Sequence, residues 1–515
     1  LAWLLGAARL TDFRVPPAIT RSLAYAARFV EPEGDSMTMR SRRSLPTRTL
    51  ACWAAALAAC LAWTPSAAAP AKPNILFIVG DDMGYADVGF HGCKDIPTPN
   101  LDALAASGVR CTSGYVSGPY CSPTRAGLLT GRYQTRFGHE FNPSGTDAGL
   151  PLGEKTIADR LRASGYATGL VGKWHLGSGA EYQPQRRGFD EFFGFLGGSH
   201  SYFEPPGMLR GTNRVAELDY TTDAFGREAA AFIERHKGRP WFLYLAFNAV
   251  HTPMHATDAR LARFAQIPEP KRRTYCAMMV AMDEAIGRVL QQLRRADLAE
   301  QTLVCFIADN GGPVMPGTTM NAARNAPLRG GKRTTLEGGV RVPFIVSWPG
   351  RLQPAVYPQP VIQLDLAATA LAVAGFRPEA GALLDGVNLL PFLQGETTGA
   401  PHEALYWRFG TQMAIRAGDF KLVRYDSNAE TLTGVRNQPV SPARLYNLTA
   451  DAGETKDLAS ALPQQVKELQ ARWDAWNAGN TKPAWGSQHT DNNGAEPSGA
   501  LPAKGNKPKA RGKSN

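Results

Sequence analysis

Pro73-Asn74-Ile75-Leu76-Phe77-Ile78-Val79-Gly80-Asp81-Asp82-Met83-Gly84 holds an apolar run, Ile75 to Val79, that leads straight into a pair of carboxylates. A short unbroken apolar run between turn residues is the pattern of a strand buried on both faces, as in parallel sheets. The same pattern recurs at Ala167-Thr168-Gly169-Leu170-Val171, Trp241-Phe242-Leu243-Tyr244-Leu245-Ala246, Leu303-Val304-Cys305-Phe306-Ile307-Ala308 and Pro343-Phe344-Ile345-Val346-Ser347. Helical patterns separate these runs at 101–107, 156–164, 222–236, 273–296 and 364–374. Strand and helix alternating over this length predict an α/β fold: a large, mostly parallel sheet sandwiched by helices.

Chemistry-bearing residues stand where the strands end. The first strand runs into Asp81-Asp82, the second into Gly172-Lys173-Trp174-His175-Leu176-Gly177, and the fourth into Asp309-Asn310-Gly311-Gly312; Asn248 and His251 follow the third. Ligands of open α/β sheets bind outside the carboxyl ends of the strands. Four strands thus deliver polar and ionisable groups to one edge.

From about residue 401 the pattern becomes antiparallel, with short strands at 404–409, 411–416, 420–425 and 445–448 and a closing helix at 464–477. This predicts a smaller C-terminal α+β domain over 401–485, after a main domain over 71–400. Beyond Trp485 apolar residues nearly vanish, so 486–515 reads as a disordered tail. Upstream of the main domain, Arg40, Arg42, Arg43 and Arg48 precede an apolar run from Leu50 to Trp63 and then Ser66-Ala67-Ala68-Ala69. That order is a secretory signal, over 37–70 with a start at Met37 or Met39. Residues 1–36 then read as an upstream extension. The expected location is exported, periplasmic or secreted. Leu57-Ala58-Ala59-Cys60 is an alternative lipid-attachment signal, and the apolar run is too short for a stable membrane span.

The net charge of +11 invites a nucleic-acid partner, but most of it lies at the two ends of the chain, and no nucleic-acid-binding motif is present. With 52 Gly and 38 Pro the chain is rich in loops. Outside the signal the cysteines are Cys93, Cys111, Cys121, Cys276 and Cys305. Export permits disulfides, yet an odd count leaves a thiol over, and Cys305 in its apolar run reads as a small buried hydrophobe.

Asp81, Asp82, Asp309 and Asn310 offer only oxygen donors. Hard oxygens favour Ca²⁺ or Mg²⁺ over Zn²⁺, the alternative being a helix cap and a turn. Cys121-Ser122-Pro123-Thr124-Arg125 predicts a helix start with Ser122 as N-cap and Pro123 in the first turn. Cys121 then sits at an anion-favouring helix mouth, with Arg125 one turn inside. Lys173 and His175, two apart, share a face if the backbone is extended, and suit holding an anion and moving a proton. Lys332, in Gly330-Gly331-Lys332, adds a mobile cation, and His251 lies in a loop before Thr252-Pro253.

These motifs together closely resemble the type I, formylglycine-dependent sulfatases of the alkaline-phosphatase-like superfamily. The resemblance rests on 73–84, on Cys121-Ser122-Pro123-Thr124-Arg125 with Thr130-Gly131-Arg132-Tyr133, and on Gly172 to Gly177. It extends through Asp309-Asn310-Gly311-Gly312 and Gly330-Gly331-Lys332 with Glu337-Gly338-Gly339. Leu445-Tyr446-Asn447-Leu448 and Glu454-Thr455-Lys456-Asp457-Leu458 resemble the family's C-terminal domain. The resemblance implies a Ca²⁺-dependent sulfuric ester hydrolase, with 71–400 as its catalytic domain. A separate maturation enzyme would convert Cys121 to Cα-formylglycine. One hydroxyl of its hydrate would attack sulfur, and the other would expel sulfate. Asp81, Asp82, Asp309 and Asn310 would hold the cation together with the oxygen of residue 121. Arg125 would hold the hydrate and the metal-site carboxylates; Lys173 and Lys332 would grip sulfate oxygens. His175 would take the proton on collapse, and His251 would protonate the leaving alcohol.

The expected substrate is a sulfated small molecule or saccharide, such as a glycosaminoglycan or algal galactan fragment. Phe137-Gly138-His139-Glu140 and Gly198-Ser199-His200 either line its pocket or serve packing and loops. Competing readings are a phosphomonoester or phosphonate hydrolase of the same superfamily, a non-catalytic sulfated-glycan-binding protein, and a hydrolase using the unmodified Cys121 thiol.

Overall fold

A computed structural model of the chain describes residues 72–314, 318–376, 384–426 and 440–485. Its centre is a ten-stranded sheet. Asn74–Gly80 lies in the middle, parallel to Trp241–Ala246 on one side and Thr302–Ala308 on the other. Ala167–Lys173 and Glu191–Phe195 continue the parallel set outward. Every residue of the four long strands is buried, which is why their sequences read as unbroken apolar runs rather than alternations. Each large side chain so buried contributes about 1.5–3 kcal/mol relative to exposure.

The Phe344–Ser347 strand departs from expectation. It pairs antiparallel to Thr302–Ala308, and Val109–Cys111 pairs antiparallel to it in turn. An apolar run reports burial on two faces and is silent about direction. Here the chain leaves the carboxyl end of Thr302–Ala308, loops over that edge, and returns down the neighbouring position.

The helices fall close to their expected places, at Pro99–Ser107, Ile157–Ala163, Thr221–His236, Pro270–Arg295 and Leu364–Val373. The 26-residue Pro270–Arg295 helix starts with Pro270 in its first turn, behind a Glu269 carboxylate that accepts from the Lys271 and Arg272 amides. Its buried side, from Tyr275 through Met282 to Leu293, lies against Thr221–His236. Thr156 and Asp159 close a reciprocal capping box on Ile157–Ala163.

A second sheet is antiparallel throughout: Leu405–Phe409, Gln412–Ala417, Phe420–Arg424 and Arg444–Asn447. Leu405–Phe409 alternates buried and half-buried residues. Trp407, Ala414 and Val423 pack with Tyr115 and Leu336, which lie outside this sheet. Met413, Ile415 and Leu422 pack with Leu469 of the Pro463–Ala478 helix.

Cys93, Cys111, Cys121, Cys276 and Cys305 are all free thiols, and Cys305 is buried as expected. No helix among the described residues is long and apolar enough to cross a membrane. The extension at 1–36, the signal at 37–70 with Cys60, and the tail at 486–515 lie outside the described residues.

Candidate active site

Cys121 is the first residue of the Cys121–Thr130 helix, and extended Tyr120 precedes it without a side-chain cap. Ser122 is therefore not the N-cap. Its hydroxyl instead pairs with His139 Nε2 and donates to the His175 carbonyl, both at 2.6 Å. The Asn142 side chain accepts from the Ser122 amide at 3.3 Å. A small hydroxyl that looks like a cap in the sequence is used to tie the helix mouth to the segment carrying His175.

One turn inside, Arg125 is wholly buried. Its guanidinium donates to Asp309 Oδ2 through Nε at 3.1 Å and Nη2 at 2.8 Å, and to the Lys173 carbonyl and Tyr244 hydroxyl at 3.3 Å. It also stands 3.8 Å from Asp81. Two-pronged donation fixes both the carboxylate and the cation in one orientation.

The carboxylates at the strand ends pair with the cations expected beside them. Lys173, the last residue of its strand, places Nζ 2.6 Å from Asp81 Oδ2. Cys121 Sγ lies 3.7 Å from Asp81 Oδ1. Asp82 Oδ2 accepts from Lys332 Nζ at 2.9 Å and Thr319 Oγ1 at 2.6 Å, with His251 Nε2 at 3.5 Å. Asn310 Nδ2 donates to Asp82 Oδ1 at 2.8 Å, and the Asp82 amide donates to Asp309 Oδ1 at 3.2 Å. Asp82 turns into this arrangement through the left-handed region, at φ +57.

His175 reaches the same pocket by a different route from the one its spacing implies. The strand stops at Lys173, and His175 adopts φ +59, so the two side chains do not share an extended face. Its ring lies in the field of Lys173, Arg125, His251 and Lys332. The ten residues that the resemblance assigns to metal and chemistry thus gather at one carboxyl edge. Asn248 does not join them; its amide nitrogen turns to Thr221 Oγ1 at 3.5 Å.

Burial and charge set the protonation states. Burial opposes ionisation of Asp82, but Lys332, His251, Thr319 and Asn310 outweigh it and hold the carboxyl well below the usual range. Burial and the Asp81 charge push Asp309 up to about 6, against Arg125. Burial raises the Cys121 thiol despite Lys173 and Lys332. Burial and the surrounding cations push His175 far down, and burial lowers His251 to about 4 in spite of Asp82.

The residues present fit a metal ion. Ligand atoms of Asp81, Asp82, Cys121 and His251 lie within 4.8 Å of one another. Asn310 Oδ1 is buried and has no hydrogen-bond partner among the described residues. A buried, unpaired amide oxygen beside carboxylates is the donor chemistry that Ca²⁺ or Mg²⁺ takes.

Thr319 and Asn321 were not foreseen. Thr319 bridges Asp82 and Lys332, while Asn321 Nδ2 holds the Asp82 and Val250 carbonyls at 3.0 and 2.8 Å. They lie on a loop without periodicity or motif, so nothing in the sequence marks them. His139, Glu140 and His200 each make contacts of their own. His139 is buried on Ser122 and Trp485, Glu140 pairs with Arg408 at 2.7 Å, and His200 is held by the Ser201 and Pro206 carbonyls.

The sulfatase family model matches residues 73–376, and the model described as N-sulphoglucosamine sulphohydrolase, C-terminal, matches 331–472. The chain is 34% identical to N-acetylgalactosamine-6-sulfatase of Canis lupus familiaris over 402 residues, covering 72% of this chain and 75% of that one. It is 34% identical to arylsulfatase A of Homo sapiens over 464 residues, covering 80% and 89%. The crystal structure of Ps i-CgsB in complex with k-i-k-neocarrahexaose matches with a TM-score of 0.75 and 35% identity, over 82% of this chain and 96% of that one.

Proposed function

The chain belongs to the sulfatase family and is a sulfatase, and from that premise we propose that it hydrolyses sulfate esters of carbohydrates with a formylglycine at position 121 and a bound Ca²⁺. The observation that carries this reading is the single buried cluster in which Cys121 faces Asp81 while Lys173 pairs with Asp81, Lys332 with Asp82 and Arg125 with Asp309. A carbohydrate substrate is supported by relatives whose names specify a sugar sulfatase or a bound neocarrahexaose.

Asp81, Asp82, Asp309, Asn310 and residue 121 would hold the cation, which when bound polarises the nucleophile and the sulfate oxygens. The aldehyde hydrate at 121, for which Cys121 Sγ stands here, supplies the attacking oxygen and an internal route for releasing sulfate. Burial opposes ionisation of the Cys121 thiol. Lys173 and Lys332 grip the sulfate oxygens as point charges on flexible stems. Arg125 locks Asp309 and keeps the floor of the site rigid. His175 is neutral, as a proton acceptor must be. His251 is neutral at rest; the negative charge of a bound ester beside its ring favours its protonated form, which can then give a proton to the leaving oxygen.

The chemistry is assigned to residues 71–400, with 401–485 as the smaller C-terminal domain. The signal at 37–70 exports the chain, and a formylglycine-generating enzyme reads Cys121-Ser122-Pro123-Thr124-Arg125. The test is turnover of a panel of defined sulfated saccharides, with aryl sulfate and aryl phosphate as references, by enzyme co-produced with a maturation enzyme. Peptide mass at residue 121 is read in parallel. Release of sulfate from a saccharide with formylglycine at 121 is the expected result. A retained thiol in active protein, or preference for the phosphate ester, would overturn the reading.

A further inference from the structure

Two motifs of the resemblance remain without a task in this chemistry: Glu337 of Glu337-Gly338-Gly339, and Glu454 after the last strand of the second sheet. They meet. Lys421 of Phe420–Arg424 places Nζ 2.9 Å from Glu337 and 3.1 Å from Glu454, and all three side chains are fully buried. Glu454 Oε2 also accepts from the Glu337 amide at 2.7 Å. Tyr115 donates to Glu337 at 2.7 Å, and Arg341 lies 3.4 Å from it.

Glu337 ends the segment 329–337, which carries Lys332 and has no helix or strand of its own before Glu337–Val340. Gly330 and Arg333 both take positive φ, at +77 and +72, so local preference does not hold this backbone in place. A turn closed by the Thr334 amide on the Gly331 carbonyl at 3.0 Å shapes it locally, and the second sheet backs that turn. Gln412 Nε2 donates to the Arg333 carbonyl at 2.8 Å, and its Oε1 accepts from the Thr335 amide at 3.3 Å. Thr335 Oγ1 donates to the Arg424 carbonyl at 3.2 Å. Arg329 donates to the Glu454 carbonyl and the Tyr425 hydroxyl. From outside the second sheet come the Pro119 carbonyl, 2.7 Å from the Arg333 amide, the Gly312 carbonyl, 3.3 Å from the Lys332 amide, and Asn325 Nδ2, which donates to the Gly330 carbonyl at 3.0 Å.

We propose that Gln412, Lys421 and Glu454 are positioning residues: the second sheet clamps segment 329–337 from behind and fixes where the Lys332 ammonium meets the substrate sulfate. This rests on the sulfatase reading and deepens it, giving the C-terminal sheet a part in anion binding. Asp82 and Thr319 hold the Lys332 ammonium at its head, and the clamp keeps the backbone within reach of both; displacements near 1 Å at a reacting centre cost about 100-fold in rate.

The test is a double-mutant cycle in the full, matured chain with aryl sulfate. Gln412→Ala and Lys421→Met are each measured alone and combined with Lys332→Ala, with Lys421→Arg as the conservative variant. A clamp acting through Lys332 lowers kcat/KM about tenfold or more when Lys332 is present, and less than about twofold once Lys332 is alanine. Lys421→Arg then recovers most of the loss. Equal losses in both backgrounds overturn the proposal, as does full activity in a folded Gln412→Ala variant. Gln412→Ala removes no charge, so it decides the matter even if Lys421→Met fails to fold. A parent with sulfate turnover but additive losses refutes the clamp alone; a formylglycine-bearing parent that releases sulfate from neither aryl sulfate nor any of the sulfated saccharides refutes the proposed function and the clamp with it.

Discussion

At the scale of single residues, the site is a set of buried ion pairs: Lys173 with Asp81, Lys332 with Asp82, Arg125 with Asp309. Cys121→Ala removes the proposed nucleophile from a helix that is otherwise held by backbone and by Ser122. Turnover of aryl sulfate is expected to fall by at least about 10⁴-fold, while the melting temperature stays close to that of the parent; retained turnover would remove residue 121 from the chemistry. Lys332→Ala should raise KM and lower kcat together, by about 10²–10³ in kcat/KM, because the ammonium meets sulfate before and during reaction. Unchanged kinetics would exclude it. Prolonged chelation should abolish activity and lower the melting temperature, with Ca²⁺ restoring both, since an ion bound by the folded state stabilises that state. A melting temperature indifferent to both treatments would argue against a resident cation. The ionisable members of this set were legible because each ends an apolar strand or sits in a dense motif. Thr319, Asn321 and the real task of Ser122 were not: their partners are Asp82, Lys332, Val250, His139 and His175, reached only across the fold.

At the scale of elements, the strands matter for where they stop. Gly172 precedes Lys173 with φ +114, and a Cβ there would stand 1.8 Å from the Ala246 carbonyl oxygen of the neighbouring strand. Gly172→Ala must therefore spread two central strands and adopt a backbone that L residues avoid. The expected loss is about 3 kcal/mol or more in denaturant unfolding, with activity lost as Lys173 shifts. A loss below about 1 kcal/mol would show that the edge can relax. Period and apolar runs placed the five strands named from the sequence and the long helices to within a few residues, but did not reveal the further strands Val109–Cys111 and Glu191–Phe195 of the same sheet. They could not give the direction of Phe344–Ser347 or the left-handed turn at His175, since direction follows from the connecting loop and a lone turn leaves no periodic trace.

At the scale of the molecule, a buried charge cluster joins the second sheet to the segment bearing Lys332. Burial and Glu337 push the Glu454 carboxyl from 4.5 up to about 7, against Lys421. A raised carboxyl binds its proton more tightly in the folded than in the unfolded state. Its stabilising share is therefore present below about pH 4.5 and is lost as pH rises to about 7. Relative to Glu454→Gln, the parent should lose melting temperature across that window; a difference flat in pH would show that Glu454 titrates normally. The sequence by itself determined the alternation of buried strands and helices, the carboxylates and cations at the strand ends, and the family. Those are written in local runs and motifs that each element carries alone. Only the tertiary structure decided which carboxylate takes which cation, and that Glu337 and Glu454 share Lys421. These contacts join residues far apart in the chain, and their strength comes from a common burial that no single segment possesses.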